Sequence, residues 1–367
     1  MTIQSILCSI EFLRQNKKMR FSVCIPTYLR TKGLIRALNS FQNQTYQDFF
    51  EIIACDNDSN AKIKKLILDF NKTAKVQVKY LSQDGGIQQV RSRLAFEAKG
   101  DLILMIDDDE SACQELLELY DELFAGHEEI VAAGGPIKTT WEDSPPQWIT
   151  DYMKERKVTN LWGNFEPFSE SKVGVGVSIW GGNMVFKRSI FEFTGFRPDI
   201  FKGRNMGNGE SGLMADIAKR KLKTAYVPEA YVLHYMDESR YNMRYVRNTA
   251  SYMGIPFAYY RWHKAEKSFY QYASEVFRIG KRYYKKWTKY IFYCFFKTKI
   301  TDGKIGNAFH SNVGFFQIKY ILWLMTDNHF RVVCDWDDFR PKSILKLYQN
   351  SFPEQDKNES SNIFSGD

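Results

Sequence analysis

Apolar residues along the first part of the chain follow two alternating periods. Phe21–Pro26, Phe49–Ala54, Val76–Leu81 and Leu102–Ile106 are short apolar runs, and each reads as a strand. Between them, 33–44, 61–70, 88–98 and 113–125 show helical spacing; Leu34, Leu38 and Phe41, for example, fall on one face. Strand and helix therefore alternate. This predicts right-handed parallel βαβ units and an α/β class: a Rossmann-like, mostly parallel sheet flanked by helices. Leu102–Ile106 has no alternation at all, as expected of a strand covered on both faces.

That run stops abruptly at Asp107-Asp108-Asp109-Glu110. Adjacent carboxylates repel one another and are costly to bury unpaired. A solvated turn would accommodate them. The carboxyl end of a central strand, however, is where open α/β sheets take their ligands. A hard divalent cation, Mn2+ or Mg2+, with substrate phosphates as its other ligands would resolve the repulsion. The second strand ends in a similar tip, 55–60 (CDNDSN), suited either to hydrogen-bonding a base or ribose or to a turn capping the next helix. No Gly-rich loop with a following lysine is present, which disfavours a P-loop enzyme.

Residues 131–178 read as irregular, with Trp141, Trp148 and Trp162 serving either as a lid or as a satellite core. Trp180-Gly181-Gly182-Asn183 precedes a strand over 184–187, and its glycines allow close backbone approach to a ligand. Residues 197–209 read as a mobile loop over the site. Glu210 opens the next helix, where the dipole favours an anion, so simple capping would explain it. His234 ends an apolar run, a place where histidine is usually structural.

Beyond 241 the pattern changes. A basic amphipathic helix is expected over 241–254, and two apolar segments, 291–296 and 315–325, are too short to span a bilayer but suit helices lying in its interface or packed on the preceding domain. Residues 240–350 hold 20 Lys and Arg against 7 Asp and Glu; with the whole chain at +8, the remainder is net acidic. This basic third, in a chain that is 16% aromatic, points to an anionic partner surface. The six cysteines (Cys8, Cys24, Cys55, Cys113, Cys294 and Cys334) are too scattered for a zinc or redox pair and read as reduced thiols. The first eighteen residues carry an apolar stripe without a small-residue cleavage site, so a secretory signal is not expected. The expected organisation is an extension over 1–19, a catalytic domain over 20–240, a basic aromatic helical region over 241–350 and a disordered tail over 351–367.

The ordered set FSVCIPTYLR, CDNDSN, GGIQQVRSRLAFEAKGDLILMIDDDE, AAGGPI, GGNMVFKRSIFEFTGF, GNGES and AYVPEAYVLHY resembles the family 2 glycosyltransferases, across about residues 20–265. The resemblance implies the glycosyltransferase A-type fold, here with a C-terminal helical extension, and inverting transfer from a nucleoside-diphosphate sugar, most simply a uridine one. It implies that Pro26 and Tyr28 hold the nucleobase and Asp56 the base or ribose. Arg91 would neutralise the diphosphate, Asp107 and Asp108 would face sugar and ribose, and Asp109, with His234, would bind the metal. Glu210 falls on the family's general base, although Gly209 replaces the preceding acid of that pair. Trp180, Gly181, Gly182 and Asn183 would border the acceptor or donor sugar. The charge of the basic C-terminal third, rather than the resemblance, points to a lipid-linked or cell-surface glycan acceptor in surface polysaccharide synthesis, met at the cytoplasmic side of a membrane; no nucleic acid is expected as partner. A nucleotidyltransferase on a similar sheet and a non-catalytic basic binding protein are the competing readings.

Overall fold

The computed structural model describes residues 19–156, 160–198, 209–262, 268–296 and 299–351. The N-terminal amphipathic segment, most of the expected 197–209 lid and the acidic tail lie outside these. Strands β1 (Phe21–Thr27), β2 (Phe50–Asp56), β3 (Val78–Ser82) and β4 (Leu102–Met105) pair in parallel. Helices α1 (Thr31–Gln42), α2 (Ala61–Phe70) and α3 (Ile87–Glu97) connect them, as the periodicity predicts. After β4 the chain forms β5 (Glu110–Ala112), α4 (Leu116–Gly126), β6 (Ile130–Gly134), β7 (Ile137–Trp141), α5 (Gln147–Arg156), β8 (Lys172–Val175) and β9 (Met184–Lys187). Then come α6 (Gly209–Lys219), β10 (Lys223–Tyr226) and β11 (Val232–Met236).

The main sheet has the order β3-β2-β1-β4-β9-β6-β10-β8. Its β3–β4 half is wholly parallel. Beyond it, β9 runs antiparallel to both β4 and β6, so the simple βαβ series ends at β4. Apolar side chains of α1, α2 and α4 pack on one face of the sheet, those of α3 and α6 on the other. This covering explains why Leu102–Ile106 is buried at every position; each such side chain contributes about 1.5–3 kcal/mol of transfer free energy.

A second sheet, β5-β11-β7, sits beyond the end of β4. In its register His234 lies opposite Glu110. The acidic tip of β4 is thus the hinge between two sheets, and its last residue belongs to the second.

The stretch expected to be irregular holds four of these strands and helices. Its tryptophans form a satellite core: Trp162 is fully buried, with the Trp141, Trp148 and Tyr152 rings around it at 5.9–6.5 Å.

The C-terminal third is helical: α7 (Met243–Thr249), α8 (Ser251–Trp262), α9 (Phe269–Phe296), α10 (Asp302–Thr326), α11 (Asn328–Asp335) and α12 (Pro341–Ser351). The single helix expected over 241–254 is therefore two. Of the two apolar segments, the second is core: Tyr320, Ile321 and Leu324 pack with Ile255, Tyr259 and Phe330. This region also docks onto the α/β part. The Arg197 guanidinium lies 3.9 Å from the Phe339 ring centre and donates to Tyr259 Oη, while α12 packs against α3. Among the described residues no helix is long and apolar enough to cross a membrane.

Candidate active site at the tip of β4

The turn from β1 into α1 is built around Asp108. Thr27 Oγ1 donates to its Oδ2 at 2.8 Å, the Tyr28 N–H at 3.3 Å, and Arg30 Nη1 to its Oδ1 at 3.0 Å. To make this wrap, Leu29 takes a φ of 59°, the left-handed region that a branched side chain rarely occupies. α1 also comes very close: a Cβ on Gly33 would stand 2.6 Å from the Asp108 carbonyl oxygen. Burial pushes the Asp108 carboxyl up to about 6, against the pull of Arg30. Both its oxygens are engaged within the protein.

Asp109 is surrounded by positive charge. Its Oδ2 accepts from Arg30 Nη1 at 2.8 Å and from Arg240 Nη2 at 2.5 Å, and lies 3.4 Å from His234 Nε2. Burial opposes ionisation here, but His234, Arg30 and Arg240 outweigh it and hold the carboxyl well below the usual carboxylate range. The Asp109 carbonyl accepts from the Tyr235 N–H at 2.9 Å, which ties the tip to β11. Glu110 turns inward, where burial and the neighbouring Asp107 and Asp109 push it well above the carboxylate range.

As a metal site this arrangement is conditional. Asp109 Oδ2 and His234 Nε2 are donors that Mn2+ or Mg2+ takes, and phosphate and water would supply the remaining ligands. Among the described residues, no cluster of three or more acidic, His or Cys side chains is gathered for a metal. His234 Nε2 also lies 3.1 Å from Arg240 Nη1, so the pair fits an ion only once Arg240 leaves both atoms and Arg30 leaves Asp109 Oδ2. Arg30, whose side chain is 50% exposed, is better placed to move than Arg240 at 13%.

Arg91, buried on α3, joins the other acids. Its Nη2 donates to Asp107 Oδ1 at 2.8 Å and its Nη1 is in close contact with Glu210 Oε1. Its Nε has no partner among the described residues. Glu210 stands in the first turn of α6 over Gly181, where a Cβ would come within 2.7 Å of Oε1. The next residue, Gly182, has a φ of +101°, and a Cβ there would collide with the Glu110 carboxyl. The two glycines thus let acids from β5 and α6 converge across one strip of backbone.

The remaining predicted residues are placed less directly. Pro26 is buried in β1. Asp56 is also buried; its oxygens accept from the Asp58 and Asn60 N–H groups, and Asn60 caps α2. The tip of β2 is therefore an Asx turn as well as a candidate base contact. Tyr28 adjoins this tip: burial, with Asp58 and Asp56 nearby, raises its phenol. Trp180 stacks on Phe165 at 4.6 Å. Asn183 does not reach the cleft. Its amide accepts from Tyr120 Oη and donates to the Pro136 and Ala230 carbonyls, so its polar atoms bind the fold together.

Sequence reasoning missed Arg30, Arg240 and the inward turn of Glu110. Arg30 closes the FSVCIPTYLR stretch and was available as a signal; Arg240, 131 positions from Asp109, offered none.

Residues 22–195 match the sequence profile of Glycosyl transferase family 2. They are a family 2 glycosyltransferase domain. Curated relatives are distant. A glucosyl-dolichyl phosphate glucuronosyltransferase of Haloferax volcanii is 25% identical over 175 residues, 47% of this chain and 54% of that protein. The poly(ribitol-phosphate) beta-N-acetylglucosaminyltransferase TarS of Staphylococcus aureus is 28% identical over 102 residues, 27% of this chain and 18% of that protein. This chain thus spans about half of the first relative's length and less of the second's. The crystal structure of S. aureus TarS 1–349 superposes with a TM-score of 0.45 at 14% identity, covering 82% of this chain and 91% of that one. The family 2 domain spans β1 to β9 and contains the whole acidic tip; Glu210, His234 and Arg240 reach that tip from beyond its last matched residue.

Proposed function

We propose that the protein transfers a sugar from a nucleoside diphosphate, most simply uridine diphosphate, to an acceptor hydroxyl with inversion at the anomeric carbon. The observation that carries this reading is the Arg91 bridge, which holds Asp107 at the end of β4 and Glu210 at the start of α6 on one guanidinium. An incoming diphosphate competes for that guanidinium and frees Glu210. Its carboxylate then accepts the proton of the acceptor hydroxyl, whose oxygen forms the new bond to the anomeric carbon as the bond to the diphosphate oxygen breaks on the opposite face. Arg91 meets the charge that gathers on the departing diphosphate. Arg30, half-exposed, exchanges its grip on Asp108 and Asp109 for a phosphate oxygen. Asp109 and His234 would hold Mn2+ or Mg2+, which when bound neutralises diphosphate charge without moving a proton.

The names of the two relatives above each join a sugar to a phosphate-bearing acceptor, a dolichyl phosphate or a poly(ribitol phosphate). With the basic C-terminal third, this supports a lipid-linked or surface-glycan acceptor met at a membrane. The test is a panel of sugar nucleotides scored for metal-dependent thermal stabilisation, followed by product analysis with the donor that stabilises. Glu210→Gln is expected to keep that stabilisation and to lower turnover by about 10³-fold. Near-normal turnover in Glu210→Gln would remove the base assignment; no stabilisation by any sugar nucleotide would remove the transferase reading.

A further inference from the structure

Helix α9 carries a second concentration of positive charge that the β4 tip does not use. One face of this helix packs on α10. Tyr272, Glu275 and Ile279 are buried there, and Trp287 Nε1 donates to the Ser311 carbonyl at 2.7 Å. The opposite face holds Tyr270, Phe277, Tyr284 and Ile291, which are 81%, 76%, 62% and 54% exposed. They recur at every seventh position, nearly two helical turns, so they form one line along the helix. Phe292 and Phe295, also exposed, extend it at the C-terminal end. Large apolar side chains in a continuous exposed row mark a surface that meets something.

Charge indicates what. Lys281 and Lys285 stand along one flank of this row and Lys289 beside its Phe292 end, while Arg282 and Lys286 fall about 140–160° round the helix from it; all five are exposed. Among the described residues no ion pair engages them; the helix's single acid, Glu275, is buried and paired with Arg261 and Arg278. An open groove of about 640 Å³ lies between α9 and α10 and meets the apolar row only at Phe292. Lys286, Lys289 and Phe292 border one side, and Gly303, Asn307 and His310 the other. The first turn of α10, whose Lys304 N–H is capped by Thr301 Oγ1 at 3.3 Å, is on that second side and presents its positive dipole end there.

We propose that α9 lies on an anionic phospholipid surface. Its ring row enters the boundary between headgroups and acyl chains, its lysines face lipid phosphates, and the groove takes a headgroup. A second copy of the chain fits this face less well, because it would bring one basic flank against another. The surface deepens the proposed function by stating how a lipid-linked acceptor is reached, and it rests on that reading only for this purpose.

The experiment is flotation of the full chain with vesicles of phosphatidylcholine alone or containing phosphatidylglycerol, at low and high salt. The wild type is expected to float with the anionic vesicles, less so at high salt, and to stay behind with the neutral ones. Tyr270→Ser/Phe277→Ser/Tyr284→Ser and, separately, Lys285→Glu/Lys289→Glu are each expected to weaken vesicle binding about tenfold or more. Their unfolding temperature and sugar-nucleotide stabilisation should stay unchanged, which separates a lost surface from a lost fold. Equal flotation with neutral vesicles, wild-type flotation of the charge-reversed variant, or a dimer that the ring variant abolishes would each overturn the proposal. None of these outcomes bears on turnover with a soluble acceptor, so the transferase reading stands or falls separately.

Discussion

Arg240 and Lys285 are both long cationic side chains, and their surroundings could hardly differ more. Arg240 is mostly enclosed at the β4 tip, its side chain 13% exposed, with Asp109 at 2.5 Å and His234 at 3.1 Å from its two terminal nitrogens. Lys285 stands exposed on α9 among five basic neighbours and no exposed acid of its own helix. At the tip, each guanidinium offsets a specific buried carboxylate. A ligand can enter only by exchange, with one partner released as another is taken. Along α9 the charge is left uncompensated toward water, which suits a diffuse partner of opposite sign. The same net excess of cations is thus built for selectivity in one region and for reach in the other.

The comparison is broken most sharply by deleting one cation from each region. Arg240→Ala leaves a buried carboxylate with less compensation and is expected to cost about 3 kcal/mol, read by chemical denaturation. A loss below ~1 kcal/mol would mean that Arg30 alone can compensate the tip.

The tip should also answer to pH, and α9 should not, over the same range. Asp108, pushed up to about 6 by burial, still holds a proton in the native state where an unfolded aspartate, near 3.9, has released it. By linkage, its contribution falls as pH rises from about 4 to about 6 and is a constant cost above that. Asp109 runs the other way: its stabilisation is lost only as pH falls through its depressed value, below this window. Relative to Asp108→Asn, the wild type should therefore lose about 2 kcal/mol between pH 4 and pH 6. Parallel pH profiles for the two proteins would show that Asp108 is ionised throughout.

Arg30→Ala refines the tip further, because Arg30 is bound to the same acids but half exposed. Its loss is expected to cost about 1 kcal/mol, well short of Arg240→Ala. Equal effects would mean that exposure does not distinguish an exchangeable cation from a structural one.

Which parts of this were legible in the sequence follows from the same contrast. Leu102–Ile106 could be read because burial on both faces leaves an unbroken apolar run, and the acids at its end could be read as a tip. Helix spacing placed α1 to α4. The strand Met184–Lys187 was legible, but its antiparallel direction was not, since that depends on long connections rather than on local pattern. Asp108 and Asp109 looked equivalent in sequence. They differ because the β1–α1 turn encloses one of them while Arg240 and His234 arrive from β11 and beyond to meet the other. Asn183, expected at the sugar, is held in the core by partners from α4, the β6–β7 turn and the segment before β11. On α9, the apolar run 291–296 was visible, but Tyr270, Phe277 and Tyr284 were hidden among lysines until the helix aligned them. The similar run 315–325 is mostly core, and only its neighbours in space distinguish the two.

The smallest expected effect closes the comparison from the α9 side. Lys285→Ala removes a full charge, as Arg240→Ala does, yet stability should change by less than about 0.5 kcal/mol, because no described carboxylate loses a partner and water replaces the ammonium. It should even tend upward, since repulsions with Lys281, Arg282 and Lys289, at i−4, i−3 and i+4, are relieved. The decisive measurement is stability against salt concentration. If uncompensated charge burdens α9, added salt should stabilise the wild type slightly more than Lys285→Ala, by screening what the substitution has already removed. A substantial loss of stability in Lys285→Ala would instead place a carboxylate partner on this face, and the division between a compensated tip and an open basic helix would no longer hold.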